Sequence, residues 1–407
     1  VDNLTHSLAG MLVADAVCAW RREARPHVRA AAALTSALAN NLPDVDLAYA
    51  GLAGPKPLGY LLHHRGHTHT LLLGLPLGWL LGSAIWRWFR RRHPGAGTAE
   101  RQLLWGLALS GPPLHLLLDF GNTYGVHPLW PVYSGWLYGD SIFIVEPLWL
   151  ALAIPCVCRG VNERWLLVLL WSVLGATLVV CWFVPLVASS TRFMLIFLSL
   201  ASSFVAARVG ERARSTFALG ACATVAALFQ LGASRAKAEV EAAVVSAFPA
   251  LTVHDIATTP RPGNPWCWEA LLAGEQGGTY RVLRASVALA PLEGPRSCDA
   301  GADAEPTADV STLSRPMHGG VRWINAYQRP VAELAELRRS DCRFRALLRF
   351  ARMPYVAASG RIAGDLRYDS HPGFDFSDVA LDAAHGDQDC PRFVPGWLEP
   401  RAELFQP

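Results

Sequence analysis

Long apolar runs separated by short polar breaks dominate roughly the first 230 residues, and the pattern changes character after that. Measured against the roughly 20 residues a helix needs to span a bilayer, the runs near 7–20, 28–40, 71–89, 102–118, 142–158, 164–187, 193–209 and 214–232 predict membrane helices. The first two are short and rich in Ala, which suits re-entrant or protein-buried segments, so six to eight segments are expected. Beyond them, SRAKAEVEAAVVSAF predicts a helix and is followed by the Pro-rich TTPRPGNPW. WCWEALLAGEQGGTYRVLRASVAL predicts two strands around a Gly-rich turn, and PYVAASGRIAGDLRYD a second pair. Segment 291–320, rich in Gly, Pro, Ser and Asp, predicts a long loop. The expected fold is a polytopic α-helical membrane domain over residues 1–234, then an α+β soluble domain over 235–407.

Composition agrees with that division. The 407 residues are 52% hydrophobic and 17% charged, which sets the chain apart from an ordinary soluble enzyme. Only eleven of the 33 acidic residues precede position 239. A net charge of +3, dispersed along the chain, gives no basis for nucleic-acid binding. The opening VDNLTHSLAGMLVADAVCAW has neither a basic leader nor a small-residue cleavage site, so it is expected to remain in the mature protein.

Arginines predict orientation. Four groups (Arg21, Arg22, Arg25 and Arg29; Arg87 and Arg90 to Arg92; Arg159 and Arg164; Arg208, Arg212 and Arg214) fall on one side if all eight segments cross, and that side should be cytoplasmic. Residues 1–6, 41–70, 119–141 and the tail then face the other way. Cys267, Cys298, Cys342 and Cys390 all lie in the tail, where an exported domain would carry two disulfides of undetermined pairing. The tail aromatics Trp266, Trp268, Tyr280, Trp323 and Tyr355 read as core.

Against this background the polar residues stand out. Asp2, Asp44, Asp46, Asp119, Asp140 and Glu146, with His6, His63, His64, His67, His69 and His115, all sit near the same predicted membrane face. Ionisable groups at membrane depth are costly and usually pair, line a wet cavity or bind ions. Carboxylates mixed with imidazoles suit Zn²⁺, Mn²⁺ or Fe²⁺ better than Ca²⁺. His115 and Asp119, four apart, share a helix face; taken alone, such a pair is more often an ordinary polar contact. LPDVD places Asp44 and Asp46 on one side of an extended segment after Pro43 ends a helix, and two such close carboxylates call for a cation or a helix-capping turn. In HHRGHTHT, Gly66 permits a tight backbone path that lets separated imidazoles converge, and Arg65 offers a fork for phosphate or carboxylate. The plainer account of this histidine cluster is interfacial solvation or chance metal affinity.

DNLTHSLAG, LPDVD, HRGHTHT, HLLLDFGNTYG and YGDSIFIVEPLW together resemble, in order and spacing, the bacterial membrane-bound metal-dependent hydrolases, an inner-membrane family some of whose members are described as LexA-regulated. MPYVAASGRIAGDLRY resembles the end of longer members. The resemblance implies a divalent-metal site built from His6, Asp44, Asp46, His64, His69, His115 and Asp119. Where this chain has His67 the family usually has an apolar residue, and where it has Glu146, an Asp; His67, His63 and Asp2 are the weaker ligand candidates.

The expected function is therefore hydrolysis of a lipid or lipid-linked substrate, phosphoester slightly ahead of acyl ester or amide, at the exoplasmic face of the inner membrane. One or two divalent ions would serve it, Zn²⁺ first, with Mn²⁺, Fe²⁺ or Mg²⁺ as alternatives. Asp46 or Asp140 would act as general base, Arg65 as anion holder, and Asp140 and Glu146 alternatively as orienters of histidine rings. A serine-nucleophile mechanism is disfavoured, since neither G-x-S-x-G nor S-x-x-K occurs. The rival from another class is a metal sensor or transporter that binds the cation without catalysis. One-faced clustering and the lack of an inverted repeat weigh against transport.

Overall fold

The computed structural model describes residues 2–290, 298, 310–312, 319–368, 376–381 and 390–406; the rest of the predicted 291–320 loop lies outside the described residues. α1 (Asn3–Trp20) begins where the Asp2 carboxylate accepts the Thr5 N–H, so Asp2 caps a helix. α2 (Pro26–Asn41) carries proline in its first turn, where the missing N–H costs nothing. After short α3 (Leu47–Ala50) and α4 (Leu58–His63) come α5 (Leu71–Arg92) and α6 (Thr98–Phe120). At Gly111 of α6 any Cβ would lie 2.3 Å from the Ala39 Cβ, so glycine is what lets α6 close onto α2.

α7 (Pro147–Cys158) has twelve residues, every one buried. At 1.5 Å per residue it is about 18 Å long, too short for a hydrocarbon core of ~30 Å. It is a core helix of the membrane part, and residues 142–146 of the expected segment form loop instead. α8 (Arg164–Phe183), α9 (Ser189–Arg208) and α10 (Glu211–Ala247) complete the bundle. Among the described residues, five helices, α5, α6, α8, α9 and α10, are long and apolar enough to cross a membrane.

All four arginine groups gather at one end. Asp15 of α1 binds Arg29 (2.7 Å) and Arg214 (3.0 Å), Arg29 also binds Glu211 (2.9 Å), Arg25 binds Glu100 (2.6 Å), and Gly160 lies against Asp15. These contacts join the end of α1 to the starts of α2, α6 and α10 and to Gly160 just after α7, and His27 stacking on His93 (4.3 Å between centroids) adds the end of α5.

No linker separates the two parts. α10 has 37 residues, and its second half (Ala233, Ala236, Val240) packs under Trp268, Leu272 and Leu283 of the tail, so the expected boundary at 234/235 falls inside one helix. The tail sheet has the order β1-β2-β3-β5-β4 and is antiparallel: β1 (Thr252–Arg261), β2 (Asn264–Gln276), β3 (Thr279–Ala288), β4 (Val310–Thr312) and β5 (Val321–Pro330). Gly277 and Gly278, both at positive φ, turn β2 into β3, and Gln276 pairs with Thr279, which is the turn chemistry a tight hairpin requires. α11 (Val331–Ser340) and α12 (Cys342–Leu347) follow, then a small sheet of β6 (Pro354–Val356), β7 (Ile362–Asp365) and β8 (Val379–Ala380). Trp268, Tyr280, Trp323 and Tyr355 are buried as expected, while Trp266 is half exposed. Disulfides join Cys267 to Cys298 and Cys342 to Cys390.

Candidate metal centre

The candidate site forms at the bundle end opposite the arginines, from four segments. HHRGHTHT folds around a sharp reversal. α4 ends at His63, Arg65 takes φ 56°, and a Cβ at Gly66 would lie 2.7 Å from the His63 carbonyl oxygen, so glycine is required there. A 3-10 turn carries His67 to His69, and the Thr70 hydroxyl accepts the Leu73 N–H to start α5.

This reversal sorts the four imidazoles. His64 and His69 face Asp46. His63 stacks on Phe393 (5.6 Å between centroids) and His67 packs on Trp397 (4.9 Å), so both serve the contact with the tail.

LPDVD forms a 3-10 turn, Pro43–Asp46, rather than the expected extended segment. Its two carboxylates consequently diverge and grip one imidazole from opposite ends. Asp46 Oδ2 lies 3.0 Å from His69 Nδ1, and Asp44 Oδ1 lies 3.3 Å from His69 Nε2. An imidazole cannot direct both nitrogens at one ion, so Asp46 cannot share with His69 Nε2 the ion that Asp44 would bind. Asp46 instead accepts hydrogen bonds from His64 Nδ1 (3.0 Å), Thr68 Oγ1 (2.9 Å) and His69 Nδ1. This placement lets Asp46 orient the His64 and His69 rings, and Asp44, Asp46 and His69 also form one of the groups compact enough to hold an ion.

The remaining donors converge. The His115 Nδ1–H donates to the Asn40 carbonyl, leaving Nε2 as a bare lone pair; donation from His69 Nδ1 to Asp46 does the same for His69 Nε2. The two Nε2 atoms lie 3.0 Å apart. Asp119 Oδ2 is 3.1 Å from His115 Nε2 and 3.5 Å from His69 Nε2, and Asp44 Oδ1 is 3.7 Å from His115 Nε2. His6 stacks on His115 at 3.8 Å, with Nε2 3.2 Å from Asp119 Oδ1.

His6, His69 and His115 are fully buried and Asp44 is partly so, with Asn3 donating to its outer oxygen. Ligands held at ~2.0–2.1 Å around a tetrahedral ion are about 3.3 Å from one another. The observed separations bracket that value. Four lone-pair acceptors meeting in a buried space repel unless a proton or a cation sits between them.

Without a cation, the proton rests on His69. Burial pushes its pKa down, but hydrogen bonds to Asp119, Asp44 and Asp46 outweigh this and raise it to about 10. For Asp46, burial pushes up, and the hydrogen bonds from His64 and His69 win and hold the carboxyl well below its usual range. His64 is lowered, chiefly by burial, so it is neutral near pH 7; donation from Nδ1 to Asp46 leaves its Nε2 with no hydrogen-bond partner among the described residues.

The other predicted residues lie elsewhere. The Arg65 guanidinium binds Asp119 (2.9 Å to Oδ1, 3.3 Å to the carbonyl) and covers the Tyr124 ring, so it holds a carboxylate of the site. Asp140 is buried between Arg352 (2.7 Å) and Lys237 (2.7 Å), an ion-pair network that joins its loop to the tail. Glu146 caps α7, accepting the N–H groups of Leu148 and Gly263. Neither reaches the cluster, so neither is a base nor an orienter of its rings. Asn3, Asn40 and Thr68, which support Asp44, His115 and Asp46, escaped the sequence reading; a polar Asn40-Asn41 pair ending an Ala-rich helix is the one signal that pointed to them.

A helical membrane bundle with a buried His/Asp cluster at one end and a disulfide-linked α+β tail is the class of protein so defined. Residues 1–186 match the family described as YdjM inner membrane protein. Together with the apolar helices, the match supports a multi-pass inner-membrane protein. No curated protein and no solved structure matches the chain.

Proposed function

We propose that the chain is a membrane-integral, divalent-metal-dependent hydrolase of a lipid or lipid-linked substrate, with Zn²⁺ as the first candidate ion. The observation that carries this reading is the meeting of His69 Nε2, His115 Nε2, Asp44 Oδ1 and Asp119 Oδ2 with both Nδ1 atoms already committed to Asp46 and the Asn40 carbonyl. Neutral imidazoles fixed by a hydrogen bond on the far nitrogen, beside carboxylates, are the donor set zinc prefers. His6 completes it from α1, one N–O contact away on Asp119.

A divalent cation held there supplies Lewis-acid polarisation of the scissile group and a more acidic bound water. His64 is the proton acceptor, because Asp46 fixes its tautomer and leaves Nε2 open. Arg65 holds Asp119 in place.

Exposed Val45, Leu47, Tyr49 and Leu52 beside Asp44 form an apolar rim that suits an amphiphile entering from the headgroup region. Phosphoester and acyl cleavage both fit this donor set, with phosphoester slightly preferred for its demand on cation charge. The arginine distribution supports a cytoplasmic arginine end, and the two tail disulfides support an oxidising compartment for the tail; both favour an exoplasmic site.

The test is metal analysis of the purified protein and of Asp44→Ala and His115→Ala, with hydrolysis screened on a panel of exoplasmic-leaflet lipids. Stoichiometric zinc in the parent, its loss in both variants and turnover of a lipid are expected. Metal retained by both folded variants sinks the site, and bound metal with no turnover favours the sensor reading.

A further inference from the structure

Resting on the hydrolase reading, we propose that the apolar groove between α1, α6, α7 and α10 receives one hydrocarbon chain of the lipid whose polar part lies at the His/Asp cluster. The groove has a volume of about 470 Å³. Its floor on α10 is made of small residues, Cys222, Ala223, Ala226 and Ala227, and Leu117, Ala223 and Ala227 are exposed at its mouth, so it opens sideways toward the bilayer.

Its position relative to the candidate site is asymmetric. Thr5 in the lining directly precedes His6, and Leu114 and Leu118 flank His115 and Asp119 on α6. The few polar lining groups, Thr5, Ser141 and Gln230, belong to the cluster end of their elements, and Leu12, Val13 and Leu219 line the far end. A molecule that fills the groove therefore has its polar end beside the cluster and its apolar end toward the membrane centre.

Length and lining decide the occupant. From Leu219 to Gln230 α10 rises about 16 Å at 1.5 Å per residue, roughly half the ~30 Å hydrocarbon thickness, which is the depth of one leaflet. The lining is almost entirely apolar, which gains from a hydrocarbon and loses from water.

The experiment uses the full-length protein in nanodiscs containing phosphatidylglycerol with a diazirine near the methyl end of one acyl chain. After illumination, adducts are mapped by mass spectrometry. Adducts at Leu12, Val13 and Leu219 are expected, with their loss in Ala223→Trp and in Ala227→Trp, two rim positions where a large side chain projects into the groove. Adducts on the exposed α8 face at Val168 and Val179, and the metal content, should be unchanged in both variants.

Adducts confined to α8 and α9, groove adducts indifferent to both tryptophans, or dimers crosslinked through the groove would each overturn the proposal. Groove labelling in a protein that binds no metal would support the groove and overturn the hydrolase reading; metal and turnover without groove labelling would do the reverse.

Discussion

Replacing Asp46 by Asn separates the two roles a carboxylate can have at this site. Asp46 accepts three hydrogen bonds, from His64 Nδ1 on Oδ1 and from Thr68 Oγ1 and His69 Nδ1 on Oδ2. An amide keeps one acceptor and turns the other into a donor, so at least one imidazole N–H meets an N–H. If His69 yields, its tautomer flips, and Nε2 then carries the proton into the cluster where a lone pair is needed.

Loss of such an orienting partner costs roughly 10- to 100-fold in metal affinity. At ~1.36 kcal/mol per decade this is about 1.4 to 2.7 kcal/mol. Zinc affinity is measured by chelator competition on the detergent-purified protein, and stoichiometry by elemental analysis. The expected result is one-site binding retained at 10- to 100-fold lower affinity, against no stoichiometric binding for Asp44→Ala. If Asp46→Asn loses the metal as completely as Asp44→Ala, Asp46 is itself a ligand; if its affinity is unchanged, the orienting role is refuted.

Three further outcomes follow from the same geometry. With the His69 pKa raised to about 10 in the metal-free protein, its interactions stabilise the fold fully below the unfolded pKa of ~6.5, and that contribution fades as pH rises through 10. Metal must displace this proton, so apparent zinc affinity should climb about tenfold per pH unit from pH 7 to 9, with about one proton released in calorimetry across buffers; pH-independent binding would contradict it. Arg352→Ala leaves buried Asp140 with Lys237 alone and should destabilise tail docking by about 3–5 kcal/mol, read as earlier proteolytic release or a lower melting temperature. In intact cells, a membrane-impermeant maleimide should label Cys342 and Cys390 only after reduction, and labelling that requires cell lysis would place the tail in the cytoplasm.

Apolar run length located the helices closely, because a bilayer imposes a length that sequence must meet. It misjudged α7, whose twelve apolar residues are buried by protein and not by lipid, a distinction that hydropathy does not carry. Within the tail, the Gly277-Gly278 hairpin was legible from its turn residues. β5, VRWINAYQRP, was missed: its partner β3 has a register irregularity at Arg284 and Ala285, and its own burial does not alternate cleanly.

For the site, residue types and their shared membrane face were readable, and the i, i+4 pair His115 and Asp119 holds as a unit. The separation of ligand from supporter was not. It depends on which nitrogen each ring presents, and so on the turns at Pro43–Asp46 and Arg65-Gly66. Asp140 and Glu146 had the right chemistry at the right level, yet the tail and the α7 terminus had already engaged them.

The most direct test of the central claim is an experimental structure of the zinc-loaded protein with anomalous scattering recorded at the zinc edge. A peak within bonding distance of His69 Nε2, His115 Nε2, Asp44 and Asp119, with Asp46 on the far side of His69, is the predicted result. A loaded protein with no peak at that position, or one with its zinc on other residues, would contradict it.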